Sequence, residues 1–244
     1  MPLPRSWKPV RTRGLTLIGP RGDGGYVTTE AALADVDVLI SFGLGDDWGF
    51  EEDFRTRTGA RVDVYDHTVG WHWWPYYTLR SLYRRHFRLL TKPLSYARFI
   101  ARRGVTHHRR AVGSGEGGTV SLAQIVADLP DDASLFLKMD IEGAEYSVLD
   151  DIVTHRHRFT GMAMEFHEVG RHRARIEAFV AALEGFAVVA AYPNNAYPAD
   201  AAGDPRLLEM SFVRKDFLDP DAAAEPIAMP QTIAGNPPIT LTFA

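Results

Sequence analysis

Cysteine is absent from the 244 residues, which excludes disulfides, thiolate metal ligands and a cysteine nucleophile together. Long apolar runs are also missing. The stretch Met1-Pro2-Leu3-Pro4-Arg5-Ser6-Trp7 lacks the apolar core of a secretory signal. The longest apolar candidate, Ala178 to Tyr192, is interrupted by Glu184 and Gly185 and is too short to span a bilayer. A cytoplasmic location is the resulting expectation. There is no excess of positive charge: 27 basic against 31 acidic side chains leave a net charge of −4, which argues against a dedicated nucleic-acid binder. No internal repeat is visible. The length and a hydrophobic share of 45% suit one soluble α/β domain able to bury its own core.

Strand-like runs at Val36–Phe42, Arg61–Tyr65, Val105–Arg109, Ser134–Met139, Gly161–Phe166 and Phe186–Ala191 alternate with helical patterns. Ile176, Phe179, Val180 and Leu183 have the spacing of an amphipathic helix. This alternation predicts a mostly parallel sheet with helices on both faces. A seventh strand, Leu207–Val213, follows without a convincing intervening helix and is expected to enter antiparallel at the edge. Residues 1–218 read as a single domain, and the Pro- and Ala-rich residues 219–244 as an extended surface tail.

The segment 67–104 departs from the alternation. It opens with Trp71-His72-Trp73-Trp74-Pro75-Tyr76-Tyr77, carries Arg80, Arg84, Arg85, Arg88, Lys92, Arg98, Arg102 and Arg103, and contains no acid between Asp66 and Glu116. Leu79, Leu82, Tyr83 and Phe87 predict a helix packed through one face with arginines on the other. Such a segment suits a cap that binds an anionic or carbohydrate group. Single-stranded nucleic acid, an anionic membrane surface or a merely solvated insertion would fit the same composition.

Chemistry-bearing residues gather where the predicted strands end. After Ser134–Met139 come Asp140, Glu142 and Glu145, while Ala144, Val148, Leu149 and Ile152 fall at helical spacing. The acids are thus expected at a strand's C-terminal edge and in the first turn of the next helix, where ligands of open α/β sheets bind and where negative charge is favoured. Helix capping is the structural alternative.

After the first long strand, Gly43-Leu44-Gly45-Asp46-Asp47-Trp48 lets the backbone approach a ligand closely. The third glycine of a dinucleotide fingerprint is replaced by Trp48, and Asp46 and Asp47 would repel a pyrophosphate. A cofactor with a sulfonium and no phosphate suits the loop better. About twenty residues on, Asp66 ends the second strand and is expected to accept from both ribose hydroxyls of an adenosine, which NAD and S-adenosylmethionine share.

The fifth strand ends in Glu165-Phe166-His167, with Glu165 and His167 on one side. The next ends in Asn194-Asn195. Two ways of deprotonating an acceptor follow. His167 could act as a general base, or Asp140, Glu165 and Asn194 could hold a divalent cation such as Mg²⁺. The pairs His107-His108 and His155-x-His157 lack companion ligands and read as surface.

The run Lys138-Met139-Asp140-Ile141-Glu142-Gly143-Ala144-Glu145 resembles the signature of the FkbM family of S-adenosylmethionine-dependent methyltransferases. Asp23-Gly24-Gly25-Tyr26-Val27, the Glu165-x-His167 pattern, Asn194-Asn195 and Leu208–Phe212 are similar to elements of one branch of that family. The resemblance runs from about Arg21 to Asp216. It implies a Rossmann-like fold, with Gly43, Gly45, Asp46, Asp66 and Asp140 around S-adenosylmethionine and the Ala111-Val112 segment beside the adenine. It also implies His167, Asp140, Glu165 and Glu142 at the reacting end. The implied reaction is O-methylation of a small-molecule acceptor, a sugar or a secondary metabolite. The family's usual Asp-x-Gly-Ala-Asn-x-Gly loop is replaced by Ser41–Asp47, so contacts made by that asparagine do not carry over. A non-catalytic nucleoside-binding protein and an NAD-dependent oxidoreductase remain as alternatives.

Overall fold

The computed structural model describes residues 2–70, 72–84, 91–219 and 236–244. Strands β3 (Val38–Phe42), β4 (Arg61–Tyr65), β5 (Val105–His108), β6 (Leu135–Met139), β7 (Phe159–His167), β8 (Phe186–Asn194) and β9 (Leu207–Arg214) form one seven-stranded sheet in the order β5-β4-β3-β6-β7-β9-β8. The pairs among β3 to β7 are parallel, and β9 runs antiparallel to both neighbours. It sits at this end of the sheet, between β7 and the outermost β8.

Both faces of the central strands are covered, so those strands are apolar nearly throughout. Val38, Ile40 and Phe42 of β3 point into one core and Leu39 into the other. The first core takes Leu149 and Ile152 of α6 (Leu149–His155) and Ile176 and Phe179 of α7 (Val169–Ala182). The second takes Phe50 and Phe54 of α2 (Gly49–Thr58). The order reverses at β3, between β4 and β6, which opens a crevice at the strands' C-terminal ends.

An antiparallel hairpin, β1 (Leu15–Ile18) and β2 (Tyr26–Thr29), precedes the sheet. Its connection, Gly19–Gly25, carries Asp23 to the C-terminal edge, where Asn194 at the end of β8 donates to it at 3.4 Å.

Three expectations need correcting. Glu142 and Glu145 do not enter the first turn of an α-helix: 145–147 form a 3₁₀ turn and α6 begins at Leu149. The cause is local, because the Glu145 carboxylate folds back to accept from Gly143 N–H at 3.1 Å and Ile141 N–H at 3.4 Å. In helix α3 (Trp73–Arg84), Leu79, Leu82 and Tyr83 are exposed, while Tyr77 and Ser81 are buried. This helix docks by its tyrosine, whose hydroxyl donates to Asp46 at 3.0 Å, and not by a leucine face. His107 is half-buried: its Nε2–H donates to the Asp66 carbonyl at 2.8 Å, and its Nδ1 accepts from Tyr96. Trp71, Arg85, Phe87 and Arg88 lie outside the described residues, as do residues 220–235 of the tail. Residues 236–244 form no helix or strand beyond the Leu3–Phe243 bridge, and Leu241 and Phe243 pack on the core.

Candidate functional site

The crevice holds a cavity of about 310 Å³, at the small end of the roughly 300–1,000 Å³ usual for small-molecule sites. Its walls come from four strand ends. Gly43, Leu44 and Gly45 follow β3, Asp66 and Thr68 follow β4, Ala111 and Val112 follow β5, and Asp140, Glu142 and Ala144 follow β6. The sequence-predicted Gly43, Gly45, Asp66, Ala111, Val112, Asp140 and Glu142 are therefore brought together. Asp46 is not among them. It lines an adjoining cavity of about 250 Å³ with Asp23, Asp47, Lys138, Asp140 and Glu142.

Close approach of two strand ends sets the loop. A Cβ on Gly43 would lie 1.7 Å from the Asp140 carbonyl oxygen, and its φ is +80°. Only glycine fits both conditions. Gly45, at φ +57°, has nothing within 4 Å of a Cβ and borders open space. Trp48 turns away from the cavity and stacks on Phe99, with Lys92 over its ring. Lys92 also donates to the Asp46 carbonyl. Helix α4 (Thr91–Ile100) thereby locks the loop from behind.

Asp66 sits under that loop. One carboxylate oxygen accepts from Leu44 N–H at 2.8 Å and Gly45 N–H at 3.0 Å, the other from Thr68 N–H at 2.7 Å and Thr68 Oγ1 at 2.6 Å. Burial alone would raise its pKa, but these bonds, Thr68's foremost, hold it below the ordinary carboxylate value. All four acceptor positions of the carboxylate are in use, so its first role is to fix the turn.

The corner at the ends of β6 and β7 is acidic. Glu165, 5% exposed, accepts from Asn194 Nδ2 at 2.8 Å. Burial and then the charge of Asp140 push its pKa up to about 8, against the pull of His167. His167 Nδ1 lies 2.7 Å from Glu145 Oε1, and Nε2 lies 3.4 Å from Glu142 and 3.9 Å from Asp140. Burial would lower its pKa, but the Glu145 hydrogen bond and the surrounding carboxylates raise it to about 9. Asp23 is pushed up by burial and by Asp140.

Asn194 does not fit its expected place as a metal ligand. Its Oδ1 is held by the Ala196 N–H at 3.0 Å, so the amide nitrogen is what faces Glu165 and Asp23. It orients the acids by donating to them.

Several residues were not anticipated as a set. Glu209 of β9 is 4% exposed and stands directly opposite Glu165 in the antiparallel pair. Burial, then the charges of Glu165, Asp23 and Asp140, push its pKa well up. Lys138, 5% exposed, is a buried lysine of this corner and donates to the Gly43 carbonyl at 2.5 Å. Acids or lysines inside apolar runs, as in Leu207-Leu208-Glu209-Met210 and Leu135-Phe136-Leu137-Lys138-Met139, are the signal that marks both.

Residues 113–190 match the FkbM methyltransferase domain. No curated protein matches the chain. Among solved structures it is similar to a precorrin-6y C5,15-methyltransferase from Geobacter metallireducens GS-15, at 12% identity and a TM-score of 0.40, over 74% of this chain and 82% of that one. It is also similar to TYW2 of M. jannaschii in complex with AdoMet, at 10% identity and a TM-score of 0.39, over 76% and 73% of the two chains. No described helix is long and apolar enough to cross a membrane.

Proposed function

We infer, from a chain whose residues 113–190 belong to the FkbM methyltransferase domain family, that it is an S-adenosylmethionine-dependent methyltransferase. We propose that its acceptor is a hydroxyl of a sugar or a secondary metabolite. The observation that carries the cofactor reading is the donor and charge pattern of the 310 Å³ cavity. Both loop amides that a pyrophosphate would need, those of Leu44 and Gly45, already donate to Asp66. Asp46 and Asp47 add negative charge on the loop's other side. A phosphate-bearing dinucleotide is disfavoured there, and a nucleoside carrying a positive sulfonium is favoured.

Gly43, Gly45, Ala111 and Val112 would hold the nucleoside, with Asp66 setting the loop's shape and Asp140 at the boundary with the reacting end. When bound, S-adenosylmethionine supplies an electrophilic methyl group for in-line displacement by the acceptor oxygen. The chain's task is orientation, exclusion of water and removal of the acceptor's proton. Asp140, Glu165 and His167 meet at the C-terminal ends of adjacent strands, beside the cavity, and this corner is where the proton would be lost. The hairpin connection at Asp23 closes it from one side. Helices α3 and α4 brace the cofactor loop from the other, which supports a capping role for 67–104.

Asp66→Ala removes the acceptor of four hydrogen bonds, so S-adenosylhomocysteine binding should weaken about tenfold to a hundredfold, roughly 1.5–3 kcal/mol. Thr68→Val separates two roles. If a ribose hydroxyl replaces the Thr68 hydroxyl on Asp66, this variant binds S-adenosylhomocysteine as well as the parent or better. Calorimetric titration reads both, and parental affinity in Asp66→Ala removes the residue from the cofactor site.

A further inference from the structure

We propose that Asp140, Glu165 and His167 form a binding site for one divalent cation of the Mn²⁺/Mg²⁺ class at the reacting end of the cavity. The residues come from the ends of the neighbouring strands β6 and β7, and one donor atom from each lies within 4.8 Å of the other two. Ligands about 2.1 Å from a common octahedral ion stand roughly 3.0–4.2 Å apart, so small side-chain movements close the set.

The second layer is already built. His167 Nδ1 is committed to Glu145, a carboxylate with 0% exposure, at 2.7 Å. That fixes the ring and leaves Nε2 toward Asp140, the arrangement in which a carboxylate orients a metal-bound imidazole. Glu165 is held by Asn194, whose own orientation is set by the Ala196 N–H. Asn194 is thus a positioning residue for Glu165, and His167 takes the ligand place that the sequence suggested for the asparagine.

A second observation is the excess of acid on the neighbouring strand. Glu209 is 4% exposed, its carboxylate makes no side-chain hydrogen bond among the described residues, and it faces Glu165 across the β7–β9 pair. With Asp23 and Asp140 close by, four carboxylates crowd one corner. Like charges directly opposite on paired strands repel. Lys138 is directed to the Gly43 carbonyl and does not bridge them. A cation between Asp140 and Glu165 relieves the crowding and stands where the acceptor oxygen would arrive. Carboxylates favour Mg²⁺ and Mn²⁺, and one imidazole among them shifts the preference toward Mn²⁺. The catalytic use of the ion rests on the methyl-transfer reading, whereas ion binding itself does not.

The test uses the full chain, stripped with EDTA, dialysed, and titrated with Mn²⁺ while the free-ion electron paramagnetic resonance signal is followed. Saturable loss of signal at one Mn²⁺ per chain is expected, weakened at least tenfold in Glu165→Gln and in His167→Ala. Asp131→Asn, an exposed acid before the N-terminal end of β6, should bind Mn²⁺ as the parent does. Calorimetry with S-adenosylhomocysteine on each variant reports separately on the fold and on the cofactor reading. No saturable site in a parent that binds S-adenosylhomocysteine would overturn the cation site and leave the methyl-transfer reading in place. Parental Mn²⁺ affinity in Glu165→Gln, or equal losses in Asp131→Asn and Glu165→Gln, would likewise overturn it, the latter by showing diffuse attraction in place of ligation.

Discussion

Gly43→Ala is expected to lose about 3 kcal/mol or more of stability, together with the shape of the cavity. A left-handed alanine costs about 1–2 kcal/mol, and forcing a backbone shift in a packed region about 1–3 more. Here the added Cβ would fall 1.7 Å from the Asp140 carbonyl oxygen, and backbone cannot swing aside as a flexible side chain can. Relief requires the ends of β3 and β6 to separate, which displaces Asp140 from the cavity wall. Gly45→Ala is the internal control. It has φ +57° and no atom within 4 Å of the new Cβ, so only the conformational penalty applies. Urea unfolding of the two variants should rank them clearly, and a Gly43→Ala protein as stable as Gly45→Ala would show that the strand ends are not in the contact described.

Glu145→Ala should be nearly as costly, for an electrostatic reason. The buried carboxylate accepts from His167 and from two loop N–H groups, of Ile141 and Gly143. Removing it leaves the His167 Nδ1–H and the two loop N–H groups without their acceptor, a loss of about 1–3 kcal/mol for each donor that stays buried. Glu145→Gln keeps an acceptor oxygen but not the charge, so a loss nearer 1–2 kcal/mol is expected. The residues displaced are those that shape the 141–145 loop, where Glu142 sits at φ +55°. Thermal unfolding reads the ranking, with Ala below Gln below parent. An alanine variant with parental stability would mean that His167 is held by something other than Glu145.

The seven strands were legible because a doubly covered sheet writes itself as apolar runs. Arg61–Tyr65 has the predicted bounds, and the other six strands differ mainly at their ends. The cavity edge was legible for a related reason, since Gly43, Gly45, Asp66 and Asp140 each interrupt or end an apolar run. What was hidden depends on side-chain direction and on contacts between distant residues. The Asp23–Asn194 hydrogen bond joins positions 171 apart in sequence, and no periodicity reports it. Which end of the Asn194 amide meets Glu165 is decided by a single backbone N–H two residues away. The expected packing of Leu79, Leu82 and Tyr83 failed because the period of a helix does not say what lies beside it. Tyr77 found a neighbour in the loop after β3, whereas Leu79, Leu82 and Tyr83 are exposed.

The central claim is that the cavity at the β3–β4–β6 edge takes S-adenosylmethionine, and isothermal titration calorimetry of the full chain tests it most directly. The account predicts saturable binding of one S-adenosylhomocysteine per chain, weakened by Asp66→Ala, and no heat from NAD under the same conditions. Saturable NAD binding with none of S-adenosylhomocysteine would contradict it.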